Sequence, residues 1–232
     1  MRVRACIFDV FGTMVDWRSG IATTVREVLG EPTVASPEEI AELWRAEYQP
    51  GMARVREGAR PYTRLEILHR ENLERVAERL RLALTEDEKD ALNDGWSRLP
   101  PWPDTRAGLA AVRAKLPVAP CSNGSIAMMI GIARAGGLTW DAILGAEIGQ
   151  SYKPEPQVYL ASVAALGLEP EEVMMVAAHN DDLAAARVAG LRTGFFPRPT
   201  EHGPGQTRDL EATQDWDIVA DTIADLAEAL PN

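Results

Sequence analysis

The apolar and polar positions of this chain fall into two regimes. It opens on a short apolar run, Ala5-Cys6-Ile7-Phe8, that ends in the carboxylate of Asp9; after Val10 and Phe11, Gly12 and Thr13 turn the chain. A run of this length before turn residues predicts a buried strand, and a strand that delivers an acid at its carboxyl end is how an open α/β sheet presents a reactive group. From there the pattern turns helical and stays so as far as Leu99. Ile21 to Leu29 predicts a helix closed by Gly30. Ser36-Pro37-Glu38-Glu39 supplies an N-cap, a proline at the first helical position and a glutamate three residues on, the capping box of a helix running through Tyr48. Pro61 opens another helix, with Leu65, Leu68, Leu73, Val76 and Leu80 near helical spacing, and Thr85 to Glu88 form a second capping box ahead of Leu92 and Trp96. Pro100-Pro101-Trp102-Pro103 then reads as a stiff linker.

Beyond Asp104 the pattern alternates. Helices are expected near Thr105 to Lys115, from the Ser125 cap to Gly136-Gly137, over Pro156 to Leu166, over Leu183 to Ala189 and over Thr222 to Leu230. Between them lie short apolar runs at Val118 to Cys121, Ala142 to Leu144, Val173 to Ala178, Thr193 to Phe196 and Trp216 to Val219, with an irregular loop from Thr200 to Asp215. Strands alternating with helices imply a mainly parallel sheet wrapped on both faces. The all-helical block interrupts that alternation directly after the first strand, so it reads as an insertion: residues 1–15 and 100–232 form an α/β core domain, and 16–99 a helical cap domain.

Composition narrows the function classes. Lys and Arg number 24 against 35 Asp and Glu, a formal charge of −11, which disfavours broad attraction to nucleic acid or to an anionic membrane. An anionic substrate would therefore need a local positive pocket. The two cysteines, Cys6 and Cys121, sit inside strand-like runs and read as buried thiols, not as a disulfide framework. No run reads as a signal peptide or membrane span, which makes the cytoplasm the expected address.

Parallel strands bring their carboxyl ends to one edge, so the residues just after each should converge. After the first strand come Asp9 and Thr13, and after Val118 to Cys121 come Ser122, Asn123, Gly124 and Ser125. Ser151-Tyr152-Lys153-Pro154 and His179-Asn180-Asp181-Asp182 follow the next two runs. Taken singly, each has an ordinary reading: a helix N-cap, a surface lysine before proline, acids favoured by a helix dipole. Together and in this order they place a carboxylate, hydroxyls, a lysine and a second acidic cluster at one edge.

With those motifs the chain resembles the haloacid dehalogenase superfamily, and within it the L-2-haloacid dehalogenases of type II. Asp9-Val10-Phe11-Gly12-Thr13 matches the first motif, Cys121-Ser122-Asn123-Gly124-Ser125 the second, Tyr152-Lys153-Pro154-Glu155 the third and His179-Asn180-Asp181-Asp182 the fourth. Leu43-Trp44-Arg45 matches the stretch with the family's pocket arginine, and the likeness extends through Pro156-Gln157-Val158-Tyr159 to Asp215-Trp216-Asp217. The resemblance implies a Rossmannoid α/β core with an inserted helical cap. Phe11 is the position that selects a chemistry, because the superfamily's phosphatases carry there a second aspartate that protonates the leaving group. Phenylalanine can do neither acid nor base work, so carbon–halogen cleavage without metal or other cofactor is implied.

The resemblance further implies covalent catalysis by Asp9, which expels halide and forms an ester that water then hydrolyses. Lys153 would neutralise and orient Asp9, Thr13 and Ser122 would donate hydrogen bonds to carboxylates, and Arg45 and Asn123 would line the halide and substrate pocket with Phe11, Gly12 and Tyr159. Arg45 would supply the positive charge that the acidic chain lacks. At the fourth motif this chain departs from the type II pattern, with Ala177 and His179 in place of serine and asparagine. His179, which titrates near neutral pH, then competes with Asp182 as the group that activates water. His69 and His202 read as surface residues. The expected partners are a small 2-haloacid, released halide and, by family habit, a second copy of the chain. The expected reaction converts (S)-2-haloacids to (R)-2-hydroxyacids; the alternatives are a phosphatase or phosphonate hydrolase of the same fold and a haloacetate- or fluoroacetate-preferring dehalogenase.

Overall fold

The short apolar runs become strands because both of their faces are covered. In the computed structural model, which describes residues 2–31 and 34–231, the chain forms β1 (Ala5–Phe8), α1 (Trp17–Leu29), α2 (Pro37–Ala46), α3 (Tyr48–Arg56), α4 (Leu65–Leu80), α5 (Glu86–Asp94), α6 (Thr105–Arg113), β2 (Val118–Ser122), α7 (Ile126–Gly136), β3 (Leu144–Gly145), α8 (Ala146–Gly149), α9 (Pro156–Ala165), β4 (Val173–Ala177), α10 (Asn180–Val188), β5 (Arg192–Phe195), β6 (Ile218–Val219) and α11 (Ile223–Ala229). The sheet order is β3-β2-β1-β4-β5-β6 and every pairing is parallel. Ile7 faces Ala119 on one side and Met175 on the other, so β1 lies at the centre. Every residue of β1, β2 and β4 is buried, as continuous apolar runs in a doubly covered parallel sheet should be.

Alternation along these strands sorts the core into two layers. Cys6, Phe8, Met174 and Val176 point to one face, where Leu109 and Val112 of α6 and Ile223 and Leu226 of α11 pack. Ile7, Met175 and Ala177 point to the other, against Val158 and Val163 of α9 and Leu183 of α10. Because β1 leads to β2 on one side while β4 lies on the other, the chain reverses its direction of travel across the sheet between β1 and β4. In such sheets the crevice outside the strand ends at that reversal is where ligands bind.

Several elements depart from what the pattern predicts. The first helix starts at Trp17, not Ile21, because the Asp16 side chain accepts the Ser19 N–H and caps it. The helix expected from Ser36 through Tyr48 ends at Ala46, and a further helix, α3, follows. Pro50 is tolerated there because it sits in the first turn, where its missing N–H has no partner to lose. Pro61 does not open a helix; α4 begins at Leu65. His69 is buried, 1% exposed, and its ring lies 4.2 Å from that of Trp96, while His202 is half-buried. The Pro100–Pro103 segment is no free linker: the Asp16 N–H donates to the Pro100 carbonyl and the Trp102 N–H to that of Met14. Those bonds tie the two chain crossings between sheet and helices together, and Trp44, Leu65 and Trp96 of the helical block belong to the same apolar cluster as Phe8. Both cysteines are buried and free, and among the described residues no helix is long and apolar enough to cross a membrane.

The contact of α6 with α11 gives a test of the packing. A Cβ on Gly108 would stand 2.1 Å from Ile223 Cγ2. Gly108→Ala should therefore destabilise the fold by about 1–3 kcal/mol, and pairing it with Ile223→Ala, which removes the clashing atoms, should cost less than the sum of the two. Urea denaturation of the three variants measures the coupling; strict additivity would contradict the contact.

Candidate active site

At the reversal between β1 and β4 a cavity of about 820 Å³ opens, roofed by α2 and α3. Asp9 reaches it because β1 ends at Phe8 and the turn that follows leaves the carboxylate at the sheet edge, 6% exposed. Lys153, itself 7% exposed, places Nζ 2.8 Å from Asp9 Oδ1 and 2.5 Å from Asp182 Oδ2. One ammonium thus sits between two buried carboxylates, a pairing without which neither charge could stay in the interior. Burial works against an ionised Asp9, but the charges of Lys153 and the bonds from His179 outweigh it and hold its pKa well below the usual range. Burial also raises Asp182, only partly offset by Lys153, and would lower Lys153, whose pKa the two carboxylates nevertheless push up.

The remaining expected residues sort into those that reach this cluster and those that stand behind it. Thr13 Oγ1 donates to Asp9 Oδ2 at 2.7 Å and accepts from the Ala178 N–H. Asn123 Oδ1 accepts the Lys153 N–H at 2.7 Å, which fixes the lysine backbone and leaves the Asn123 amide NH2 on the cavity wall. Tyr159 touches the cavity, yet its hydroxyl is spent on Asp182 Oδ1 at 2.5 Å, so it positions that acid and has no free hydroxyl for a ligand. Ser122 lies behind the wall, where its Oγ accepts the Gly124 N–H, and not against either carboxylate. Gly12 likewise forms no part of the wall. Its φ of +87° and lack of a side chain make room for Glu201, whose Oε1 would stand 2.1 Å from a Cβ there.

Phe11 and Arg45 define the opposite wall. The Phe11 ring, 2% exposed, meets Tyr48, His69 and Trp96 edge-on. Arg45, near the end of α2, holds its guanidinium carbon 3.9 Å from the centre of the Tyr48 ring and 5.7 Å from that of Phe11. Its Nη1 is buried without a hydrogen-bond partner. A buried donor on a cation, facing an aromatic-lined cavity, is a place for an anion.

His179 and Glu201 complete the site. His179 Nδ1 lies 3.1 Å from Asp9 Oδ2 and Nε2 lies 2.8 Å from Glu201 Oε2. Glu201, 2% exposed, is held by the Trp17 indole N–H at 2.9 Å as well. Burial alone would lower the His179 pKa, but Glu201 and Asp9 hold it well above the ordinary imidazole value. Burial would raise Glu201, and the His179 charge instead brings it down to about 2. Glu201 was not foreseen from sequence because it lies in the aperiodic stretch from Thr200. The signal was the strand before it: β5 is parallel to the rest, so residues beyond its carboxyl end belong at the same edge.

Known proteins resemble this chain along most of its length. Residues 3–190 match the model of the haloacid dehalogenase-like hydrolases. The chain belongs to that family. It is 30% identical over 195 residues to (S)-2-haloacid dehalogenase 1 of Pseudomonas sp. (strain CBS-3), covering 82% of this chain and 83% of that protein. Among solved structures it is similar to an L-2-haloacid dehalogenase (47% identity, 97% of each chain, TM-score 0.93). It is also similar to a defluorinating L-2-haloacid dehalogenase (46% identity, 97% of this chain and 94% of that one, TM-score 0.93). The fold is thereby the superfamily's mixed α/β architecture around a six-stranded parallel sheet.

The Glu201–His179 pair makes a pH-dependent prediction. His179, raised above its ordinary 6.5, contributes stability that is complete below that value and lost as pH rises through its folded pKa. Glu201, lowered from 4.5 to about 2, contributes stability present above 4.5 and lost as pH falls toward 2. The stability gap between the native chain and Glu201→Gln should therefore be widest between about pH 4.5 and 6.5 and narrow on either side. Denaturant midpoints across pH measure it, and a gap that does not vary with pH would contradict the pairing.

Proposed function

We propose that this protein hydrolyses the carbon–halogen bond of (S)-2-haloacids, giving (R)-2-hydroxyacids and halide through an ester on Asp9. The observation that carries the reading is a buried, lysine-paired Asp9 on a cavity whose position 11 offers an aromatic ring where phosphoryl transfer would need an acid. The (S)-2-haloacid and L-2-haloacid dehalogenases among its relatives support the substrate class. Asp9 Oδ2 accepts from Thr13 and is near His179, whereas Oδ1 has Lys153 alone. Oδ1 is the freer oxygen and makes the in-line attack on C2. Halide leaves toward Arg45 Nη1 and the Asn123 amide, and the helices between residues 16 and 99 act as a cap that keeps water from the carbon centre.

Hydrolysis of the ester needs a base, and His179 fits better than Asp182. Both Asp182 oxygens are engaged, by Lys153 and Tyr159. His179 is held protonated in the resting site in part by the Asp9 charge. Esterification removes that charge, so the His179 pKa falls at the moment a base is required. Glu201 keeps the remaining proton on Nε2, which leaves Nδ1 to take one from water attacking the Asp9 carbonyl. The same reading includes a cytoplasmic enzyme acting as a homodimer, to which exposed Ile130, Ile148 and Leu160 would offer apolar surface.

Ion-selective electrodes should register chloride from (S)-2-chloropropionate, with chloro-, bromo- and fluoroacetate run alongside to rank the halogens. Asp9→Asn should release none. His179→Asn and Glu201→Gln should lower turnover by roughly 10²–10⁴-fold while a mass increase equal to the acyl ester builds up on the protein. Absence of halide from every short haloacid, or magnesium-dependent phosphate release instead, would overturn the proposal.

A further inference from the structure

A three-carbon haloacid has six heavy atoms and fills about 180 Å³ at roughly the volume a water molecule takes, whereas the cavity measures about 820 Å³. What else the cavity is built to hold is indicated by Arg56, the last residue of α3, which lines it. Its Nη1 donates to the Lys153 carbonyl and to Gln49 Oε1, both at 3.2 Å and both neutral. Among the described residues no carboxylate lies within 4.0 Å of the Arg56 guanidinium, whereas Arg18, Arg60 and Arg70 of the same helical block are each paired with a glutamate. The Arg56 Nε and Nη2 make no hydrogen bond there. A half-buried guanidinium, anchored by one nitrogen and otherwise unpaired on a cavity wall, offers the planar fork that binds a carboxylate in two-point fashion.

We propose that Arg56 binds the distal carboxylate of a larger substrate, so that the protein acts on 2-halodicarboxylates of the 2-halosuccinate type. This rests on the dehalogenase reading above and deepens it. The span agrees: Asp9 and Arg56 lie at opposite ends of one residue, Lys153, whose Nζ meets Asp9 at 2.8 Å and whose carbonyl meets Arg56 at 3.2 Å. Those two lysine atoms are at most about 8 Å apart, so the two groups lie no more than about 14 Å from each other. A reacting carbon about 3 Å from Asp9, three further bonds to the distal carboxylate oxygen spanning about 3.5 Å and a hydrogen bond of about 2.8 Å add up to about 9 Å, within that limit. Arg45 and the Asn123 amide remain for the leaving halide and the carboxylate next to the reacting carbon. The chemistry at C2 is unchanged. The carbon–halogen bond breaks with its electron pair leaving on the halide, Asp9 forms the ester, and water cleaves it, so that 2-hydroxysuccinate, halide and one proton are released.

The test compares (S)-2-chlorosuccinate with (S)-2-chloropropionate on the native protein, Arg56→Met and Arg56→Lys, by steady-state chloride release. The native protein should turn over both acids. Arg56→Met should lose kcat/KM on chlorosuccinate about 10- to 100-fold more than on chloropropionate, chiefly through KM, and Arg56→Lys should recover part of the difference. Equal losses on the two acids would overturn the proposal and leave Arg56 as a tie between α3 and the Lys153 backbone. So would a native protein that releases chloride from chloropropionate and none from chlorosuccinate, while the dehalogenase reading stood. Chloride from neither acid would bring down both.

Discussion

Two carboxylates share a single buried ammonium, and the rest of the site is arranged to make that tolerable. Removing Asp9, Lys153 and Asp182 from water costs several kcal/mol for each charge unless all three stay together. Their partners come from separate parts of the sheet edge: Thr13 from the turn after β1, Asn123 from the end of β2, Tyr159 from α9. Each spends its polar group on holding the cluster in register. The gain is an aspartate, itself buried, that stays ionised at the edge of a partly aromatic cavity. A carboxylate is a modest nucleophile in bulk water; desolvated and oriented, it is a much better one.

A second charge arrangement is laid against the first. The line Asp9, His179, Glu201 alternates negative, positive and negative, so any event that neutralises Asp9 is felt at His179 within one hydrogen bond. Ester formation on Asp9, as proposed above, would be such an event. On that mechanism the imidazole is stabilised as a cation while a nucleophile is needed and would be released toward neutrality once a base is needed, with Glu201 setting which nitrogen keeps its proton. Gly12 belongs to this account through what it lacks, since a side chain there would displace Glu201.

How far the site could be read in the sequence follows from how local its signals are. Asp9 stands directly after a short apolar run, Asp182 in the first helical turn after another and Lys153 beyond the short helix that follows a third, so parallel topology brings them to one edge, and the six-stranded sheet follows from the same alternation. Ser122 and Gly12 share those motifs yet face away from the cavity, because a motif gives nearness along the chain and not the direction of a side chain. His69 looked like a polar position on a cap helix; it is buried because four aromatic rings, of Phe11, Trp44, Tyr48 and Trp96, gather around it from distant segments. Glu201 lies in a stretch with no period, and Arg56 on a helix disguised by Pro50 and Gly51 at its start. The strand before Glu201 points it to the sheet edge, but its partners, like those of Arg56 at Lys153, are long-range contacts that no window of sequence contains.

The central claim is that the oxygen delivered to substrate comes from Asp9. The most direct measurement is a single turnover with enzyme in excess over (S)-2-chloropropionate in heavy-oxygen water, followed by mass analysis of the product and of the peptide containing Asp9. The account predicts a hydroxyacid carrying ordinary oxygen and an Asp9 peptide that has gained one heavy oxygen from the water that cleaved the ester. Heavy oxygen in the first-turnover product, with an unlabelled peptide, would mean that water attacks the carbon directly and would contradict it.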